Sequence, residues 1–130
     1  MIVADTDVLI DFLSGRGLAA DRIALELERS QLATTVVNRF ELLAGIRSRR
    51  QEKVVYELLT ALFTLSLDQD AADAAAEIRR TLELAGTPIG MGDSLIAGIV
   101  RFHDGVLLTR NRRHFDRVKG LKLSVVTPEP

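Results

Sequence analysis

Short apolar runs alternate with amphipathic helical segments along the chain, and this alternation constrains the fold more than any other feature. The apolar runs predict strands at residues 2–4, 31–36, 65–67, 105–109 and 121–126, with Pro128 ending the last one. The helical spacing predicts helices at 18–28, 38–46, 51–63, 68–85 and 93–102, and shorter helical pieces at 9–13 and 111–118. The runs are apolar throughout, as in parallel strands that are covered on both faces. We therefore expect one α/β domain over residues 1–130, with three α/β/α layers around a central, mostly parallel sheet.

Composition excludes several classes of protein. The chain has 130 residues, no cysteine and a formal net charge of −1. The lack of cysteine excludes disulfides and thiolate metal sites, and it fits a reducing, cytoplasmic compartment. We find neither the pattern of a signal peptide nor an apolar stretch long enough to cross a membrane. Basic residues outnumber acidic ones between residues 101 and 122, and such a patch can bind phosphate groups even when the whole molecule is nearly neutral.

Three carboxylates stand in or beside apolar segments. Asp5 follows the first predicted strand, Glu41 lies within the helix at 38–46, and Asp93 opens the helix at 93–102. A buried or half-buried carboxylate is costly unless it is paired or bound to a cation, so we expect one common reason for all three. Ligands of parallel sheets bind at the carboxyl ends of the strands. Asp5 and the segment 109–111 are both predicted to lie at that edge.

A divalent metal ion is the simplest common reason. Two carboxylates roughly 5 Å apart repel each other by about 3 kcal/mol at an effective dielectric constant near 20. Without a cation, at least one of them is expected to hold its proton more tightly than usual. Oxygen ligands without nearby His or Cys favour Mg²⁺ or Mn²⁺ over zinc.

Each acid also has a simpler interpretation. Asp93 is a favoured residue for the N-cap of its helix, and Asp5 can simply end a strand. Glu41 is expected to be at least half-buried, because its neighbours at helical spacing are apolar or small. The other polar residues near these positions are interpreted as helix-start or surface groups: Asp7, Asp11 and His114.

Four sequence blocks occur in a characteristic order. They are Val3–Ile10, Thr34–Gly45, Gly86–Ala97, and Leu107–Asn111 followed by His114 and Phe115. Together they resemble PIN domains, and specifically the VapC-type ribonucleases of bacterial toxin–antitoxin pairs. The resemblance extends over almost the whole chain, and it implies a PIN-like three-layer fold.

The resemblance also implies the residues of an active site. The catalytic acids that bind Mg²⁺ or Mn²⁺ would be Asp5, Glu41 and Asp93. The fourth catalytic position, usually acidic or Asn in the family, is Asn111, which brings no charge. Polar positions that support the site correspond to Thr6 and Thr109. Two residues depart from the common pattern: Asn38 replaces a Thr or Ser, and His114 replaces an acid.

The reaction implied by the resemblance is hydrolysis of an RNA phosphodiester by a metal-activated water, leaving a 5′-phosphate and a 3′-hydroxyl. The implied partners are a second copy of the chain, in a homodimer, and a VapB-like antitoxin that inserts a peptide into the acidic site. Candidate ligands for the RNA phosphates lie close to Asn111 in sequence: Arg110, Arg112 and Arg113.

Two other functions remain open at this stage. The first eight residues also resemble the nucleophile motif of haloacid-dehalogenase-like phosphatases, in which Asp5 would form an aspartyl-phosphate and Gly92–Asp93 would correspond to the later metal motif. Against this, no well-placed Lys lies between residues 5 and 93. The second alternative is a degenerate domain that only binds RNA or a partner, since Asn111 lacks the charge of an acid.

Overall fold

The computed structural model describes residues 1–126, which form five strands and seven helices. The strands are β1 (Ile2–Ala4), β2 (Leu32–Thr35), β3 (Phe63–Leu65), β4 (Val106–Thr109) and β5 (Lys122–Val125). The helices are α1 (Thr6–Leu13), α2 (Gly17–Glu28), α3 (Val36–Ala44), α4 (Arg49–Ala61), α5 (Gln69–Leu84), α6 (Met91–Phe102) and α7 (Arg112–Phe115). The predicted alternation is confirmed, while Pro128 lies outside the described residues. None of the helices within residues 1–126 has both the length and the apolar character needed to cross a membrane.

The five strands form one sheet in the order β3-β2-β1-β4-β5, and every pairing between neighbours is parallel. The predicted parallel sheet is thus confirmed. From β1 the chain moves outward through β2 to β3, and it then returns to place β4 on the other side of β1. The direction of strand order therefore reverses between β1 and β4, which is where open parallel sheets bind ligands.

Alternate residues of the central strands pack into two separate cores. Ala4 and Leu108 face one core together with α1, α2, α3 and α4. Val3 and Leu107 face the other core together with α5, α6 and α7. Both faces of the sheet are covered, which confirms the three-layer architecture and explains why the strand sequences are apolar throughout.

Helices α5 and α6 pack closely where α6 has a glycine. A Cβ atom at Gly98 would lie 2.6 Å from both the Cβ and the backbone nitrogen of Ala75 on α5. Gly98 therefore permits the backbones to approach, and the packing fixes the position of α6 and of Asp93 in its first turn. At the end of α5, Gly86 has a φ of +74° and provides the predicted stop.

Several predicted boundaries are shifted, including the start of α1, which lies at Thr6 instead of residue 9. The third strand covers 63–65 instead of 65–67, because α4 ends at Ala61 and residues 63–65 pair with β2, whereas Leu67 is exposed. Helix α3 begins at Val36, since the hydroxyl of Thr35 accepts a hydrogen bond from the backbone nitrogen of residue 38 and caps the helix. Helix α6 begins at Met91, two residues before its predicted start.

Candidate active site

Asp5 occupies the crevice between β1 and β4, and only 5% of its surface is exposed. Its Oδ1 accepts hydrogen bonds from the backbone nitrogen of Thr6 at 2.9 Å and from Nδ2 of Asn38 at 3.0 Å. Its Oδ2 accepts one from the hydroxyl of Thr109 at 2.8 Å. The predicted meeting of the β1 and β4 ends is confirmed, and both carboxylate oxygens are held in a defined orientation.

A chain of hydrogen bonds joins Asp5 to Glu41 through Asn38 and Thr6. The fully buried Asn38 donates from Nδ2 to Asp5 and also to the Thr6 hydroxyl at 2.9 Å. Its Oδ1 accepts from the Thr35 hydroxyl at 2.7 Å. The Thr6 hydroxyl donates in turn to Oε1 of Glu41 at 2.6 Å. The sequence indicates Asn38 only as a departure from the family pattern; its position three residues before Glu41, about one turn earlier on the same helix, was the available signal.

Glu41 is exposed, so the expectation that its side chain is at least half-buried is wrong. Helix α3 buries Asn38 and Leu42, which lie four residues apart on the face toward the sheet. The intervening positions therefore turn outward, and Phe40 is 70% exposed beside Glu41. The prediction relied on the apolar and small neighbours of Glu41 at helical spacing, none of which is among the residues that α3 buries.

Asp93 is half-buried, with 28% of its side chain exposed, and it contacts His114. Oδ2 of Asp93 lies 2.8 Å from Nδ1 of His114. The interpretation of Asp93 as an N-cap is wrong, because the cap of α6 is Gly90 and Asp93 lies in the first turn. The side chain of His114 is 54% exposed, as predicted, but sequence reasoning missed its contact with Asp93.

Asp7 also faces this site, although the sequence suggested only a helix-start acid. It does lie in the first turn of α1, where its Oδ1 accepts from the backbone nitrogen of Val8 at 2.7 Å. Its Oδ2 accepts from the backbone nitrogen of Arg110 at 3.0 Å and lies 3.5 Å from the Thr109 hydroxyl. These hydrogen bonds hold Asp7 against the end of β4, beside Asp5.

The electrostatics of the cluster follow from burial and from like charge. Burial and the neighbouring charge of Asp7 raise the pKa of Asp5 to about 6, with a smaller raising effect from Asp93. The hydrogen bonds from Thr109 and Thr6 oppose this rise. Burial also raises the pKa of Asp7. The expectation that at least one acid holds its proton more tightly in the absence of a cation is confirmed for Asp5.

The carboxylates of the cluster offer oxygen ligands, which suit a hard divalent cation. The expectation of a site without a nearby His is wrong, since Nδ1 of His114 lies 2.8 Å from Oδ2 of Asp93. Within residues 1–126, no three His, Asp or Glu side chains are grouped closely enough to be ligands of one ion. Mg²⁺, however, commonly binds through only one or two carboxylates and keeps several waters. Asp5 and Asp93 are close enough for the charge of Asp93 to affect Asp5, and the roles of Asp5, Asp93 and Glu41 as metal ligands stay predictions.

The predicted RNA-binding arginines differ in their surroundings. The guanidinium of Arg110 lies 2.6 Å from Oδ2 of Asp11 and is held by that ion pair. Arg112 and Arg113 are exposed, and neither forms an ion pair within residues 1–126. Asn111 is exposed at the start of α7, and its backbone nitrogen donates to the Thr109 hydroxyl at 2.9 Å. The catalytic role of its side chain stays a prediction.

Comparison with known proteins identifies the family. The model of the PIN domain family matches residues 2–121. The chain belongs to the PIN domain family. The match spans strands β1 to β4 and all the acids described above, whereas the phosphatase resemblance rests on two short blocks, the first eight residues and Gly92–Asp93.

Relatives of this PIN domain include "Ribonuclease VapC10" of Mycobacterium tuberculosis, which is 32% identical over 98% of this chain and 96% of the relative. The "tRNA(fMet)-specific endonuclease VapC" of Shigella flexneri is 30% identical over 91% of this chain and 92% of the relative. Among solved structures, DNA-bound VapBC from Salmonella typhimurium is 27% identical with a TM-score of 0.84, covering 95% of this chain and 96% of that one. The PIN domain is therefore of the VapC type, and the resemblance inferred from sequence is confirmed.

Proposed function

We propose that this PIN domain is a metal-dependent endoribonuclease that acts as the toxin of a toxin–antitoxin pair. The observation that carries the proposal is Asp5, a buried carboxylate of raised pKa held by three hydrogen-bond donors at the reversal point of the sheet. The names of its VapC relatives as ribonucleases support an RNA substrate. Because the substrate is cellular RNA, we place the protein in the cytoplasm.

In this proposal, Asp5 and Asp93 would hold a Mg²⁺ or Mn²⁺ ion, and Glu41 and Asn111 would complete the site. A divalent ion bound there supplies Lewis acidity and lowers the pKa of a water. Asn38 and Thr109 keep the Asp5 oxygens oriented, so little reorganisation is needed during the reaction. The water oxygen bonds to phosphorus, the bond from phosphorus to the 3′ oxygen breaks, and a proton passes to that oxygen. The products are a 5′-phosphate and a 3′-hydroxyl.

The Salmonella typhimurium relative was solved as a VapBC complex, which supports a VapB-like antitoxin as the partner of this chain. A groove of about 300 Å³ between α1, α3 and α4 suits a peptide of that partner, since apolar side chains line it and Glu41 lies at its border. The apolar residues are Ile10, Leu13, Leu42, Ile46, Val54 and Val55. We also propose a homodimer, for which the exposed Phe40 and Met91 are candidate interface residues.

A binding domain without activity is the second candidate, and Asn111 is the feature that favours it. An uncharged side chain at the fourth position contributes less to holding a cation than an acid would. The retention of Asp5, Glu41 and Asp93 favours the enzyme.

The test is cleavage of RNA by the purified protein. A panel of transfer, ribosomal and messenger RNA is incubated with Mg²⁺ or Mn²⁺, with excess chelator, or with no addition. We expect discrete cleavage in the presence of metal, products with 5′-phosphate ends, and no cleavage with chelator.

The control for contaminating nuclease is the Asp93→Asn variant, purified in the same way. Intact RNA throughout the panel, or equal cleavage by the wild type and the variant, would contradict the enzymatic proposal. RNA binding without cleavage would favour the degenerate domain.

A further inference from the structure

A small cavity lies directly beside the acidic site. Its volume is about 220 Å³, and it is lined by the loop 87–90, by Asp93, and by residues of α7 and the segment after it. This volume is below that of pockets that enclose drug-sized ligands, so the cavity suits a group no larger than part of one nucleotide. Asp93 belongs both to its wall and to the carboxylate cluster.

Two guanidinium groups give the cavity a positive character. Arg113 and Arg117 line it, both are exposed, and neither forms an ion pair or a side-chain hydrogen bond with any group in residues 1–126. By contrast, Arg110 pairs with Asp11, and Arg101 pairs with Glu77. The two cations of the cavity are thus available to an external anion.

The wall of the cavity also contains one acid, Asp93, so two guanidinium charges face a single carboxylate charge and the balance is positive. Oδ2 of Asp93 already contacts Nδ1 of His114 at 2.8 Å. Guanidinium groups bind phosphate oxygens in a bidentate manner, which an isolated point charge does not reproduce. An anion bound in the cavity would lie next to the carboxylate of Asp93, which is proposed to act in catalysis.

We propose that this cavity is a subsite for an RNA phosphate adjacent to the one that is cleaved, with Arg113 and Arg117 as its cations. The inference rests on the proposed ribonuclease function and deepens it. It adds Arg117, which lies outside the set identified from sequence. It also separates Arg113 from Arg110, whose guanidinium is held by Asp11.

The subsite is tested by removing one positive charge from the protein or one negative charge from the RNA backbone. The variants are Arg113→Gln and Arg117→Gln, with Arg80→Gln as the matched control, since Arg80 is an exposed arginine on α5 away from the cavity. The probe is a single-stranded oligoribonucleotide containing a bond that the wild type cleaves. It is made with ordinary phosphates, or with one uncharged methylphosphonate at each position near that bond.

For the wild type, one methylphosphonate position next to the cleaved bond should lower kcat/KM by about tenfold, the effect of losing a charge-assisted hydrogen bond. Arg117→Gln and Arg113→Gln should each lower kcat/KM by a similar factor on ordinary RNA, and they should reduce the salt dependence of binding by about one charge. When the methylphosphonate is at that sensitive position, Arg113→Gln and Arg117→Gln should lower kcat/KM little further. The substitution in the protein and the methylphosphonate in the RNA then remove the same contact. Arg80→Gln should match the wild type throughout.

The subsite would be overturned if the losses in kcat/KM from the arginine substitutions and from the methylphosphonate added at every position of the RNA. It would also be overturned if Arg117→Gln and Arg80→Gln cleaved RNA with equal kcat/KM. Either result would leave the ribonuclease proposal intact. The same holds if Arg117→Gln weakened inhibition by the antitoxin and left RNA cleavage unchanged, since the cavity would then bind the partner. If the wild type cleaved no RNA, the proposed function would fail and the subsite with it. Thermal unfolding of each variant checks that the fold is retained.

Discussion

Replacing Asp5 by asparagine should abolish RNA cleavage, with a loss of about a thousandfold or more, while the protein stays folded. In the proposed mechanism the carboxylate charge of Asp5 would hold the divalent ion, and a neutral amide oxygen would bind it far less tightly. Asp93→Asn should have the same effect on cleavage. The measurement is the rate of RNA cleavage with saturating Mg²⁺, and a variant that retained wild-type activity would refute the site assignment.

The hydrogen bonds around Asp5 can accommodate the amide. Its oxygen can take the place of Oδ1 and accept from the backbone of Thr6 and from Asn38. Its NH₂ group can then donate to the Thr109 hydroxyl, which would turn its own proton toward Asp7 at 3.5 Å. None of the polar atoms that contact residue 5 is left without a partner, so the loss of activity would not reflect unfolding.

The same variant should change how stability depends on pH. The pKa of Asp5 is about 6 in the folded protein against an ordinary value of 3.8, so ionisation of Asp5 is less favourable in the folded state. Its contribution to stability is fully present below pH 3.8 and is lost as the pH rises to about 6. At pH 7.5 without metal, Asp5→Asn should therefore be more stable than the wild type by up to about 3 kcal/mol.

Urea unfolding of both proteins at pH 4 and pH 7.5, in chelator, measures this effect. The two free energies of unfolding should be nearly equal at pH 4 and should diverge at pH 7.5. A constant difference at both pH values would show that the charge of Asp5 is not the cause.

Replacing Gly98 by alanine should destabilise the protein by about 2–3 kcal/mol. The new Cβ would lie 2.6 Å from the backbone nitrogen and the Cβ of Ala75 and 2.7 Å from its Cα, so α5 and α6 must move apart. Because α6 carries Asp93, RNA cleavage should fall as well. The measurement is the free energy of unfolding in urea.

Gly92→Ala is the matched control, since it lies on the same helix and a Cβ there meets no atom within 4 Å. It should leave stability unchanged or raise it by up to about 1 kcal/mol, the helix preference of alanine over glycine. Equal losses from both substitutions would mean that general loss of glycine, and not contact with Ala75, is responsible.

The sequence was sufficient for the architecture because its signals are local. Apolar strands and amphipathic helices are read from neighbouring residues, and parallel pairing follows from their alternation. The meeting of Asp5 with Thr109 could also be predicted, since both end parallel strands. The shift of β3 to Phe63–Leu65 could not, because that edge strand is set by its pairing with β2 and its apolar pattern extends to Leu67.

The parts of the site that escaped prediction depend on contacts between distant segments. The contact of His114 with Asp93 joins residues from two elements, and nothing in either local sequence indicates it. The ion pair between Arg110 and Asp11 likewise depends on how α1 packs against the end of β4. Glu41 was placed incorrectly for another reason: an apolar segment gives the composition of a helix, but the sheet decides which of its faces is buried.

The most direct test of the central claim, that carboxylates from remote segments share one divalent ion, is metal binding by the protein alone. The thermal midpoint is measured as Mn²⁺ is added at pH 7.5 to the wild type, Asp5→Asn and Asp93→Asn. Ligand binding to the folded state stabilises it by about 2.7 kcal/mol at a hundred times Kd, so the wild-type midpoint should rise steadily. Both variants should show little or no rise. An equal rise in all three proteins, or none in the wild type, would contradict the shared metal site.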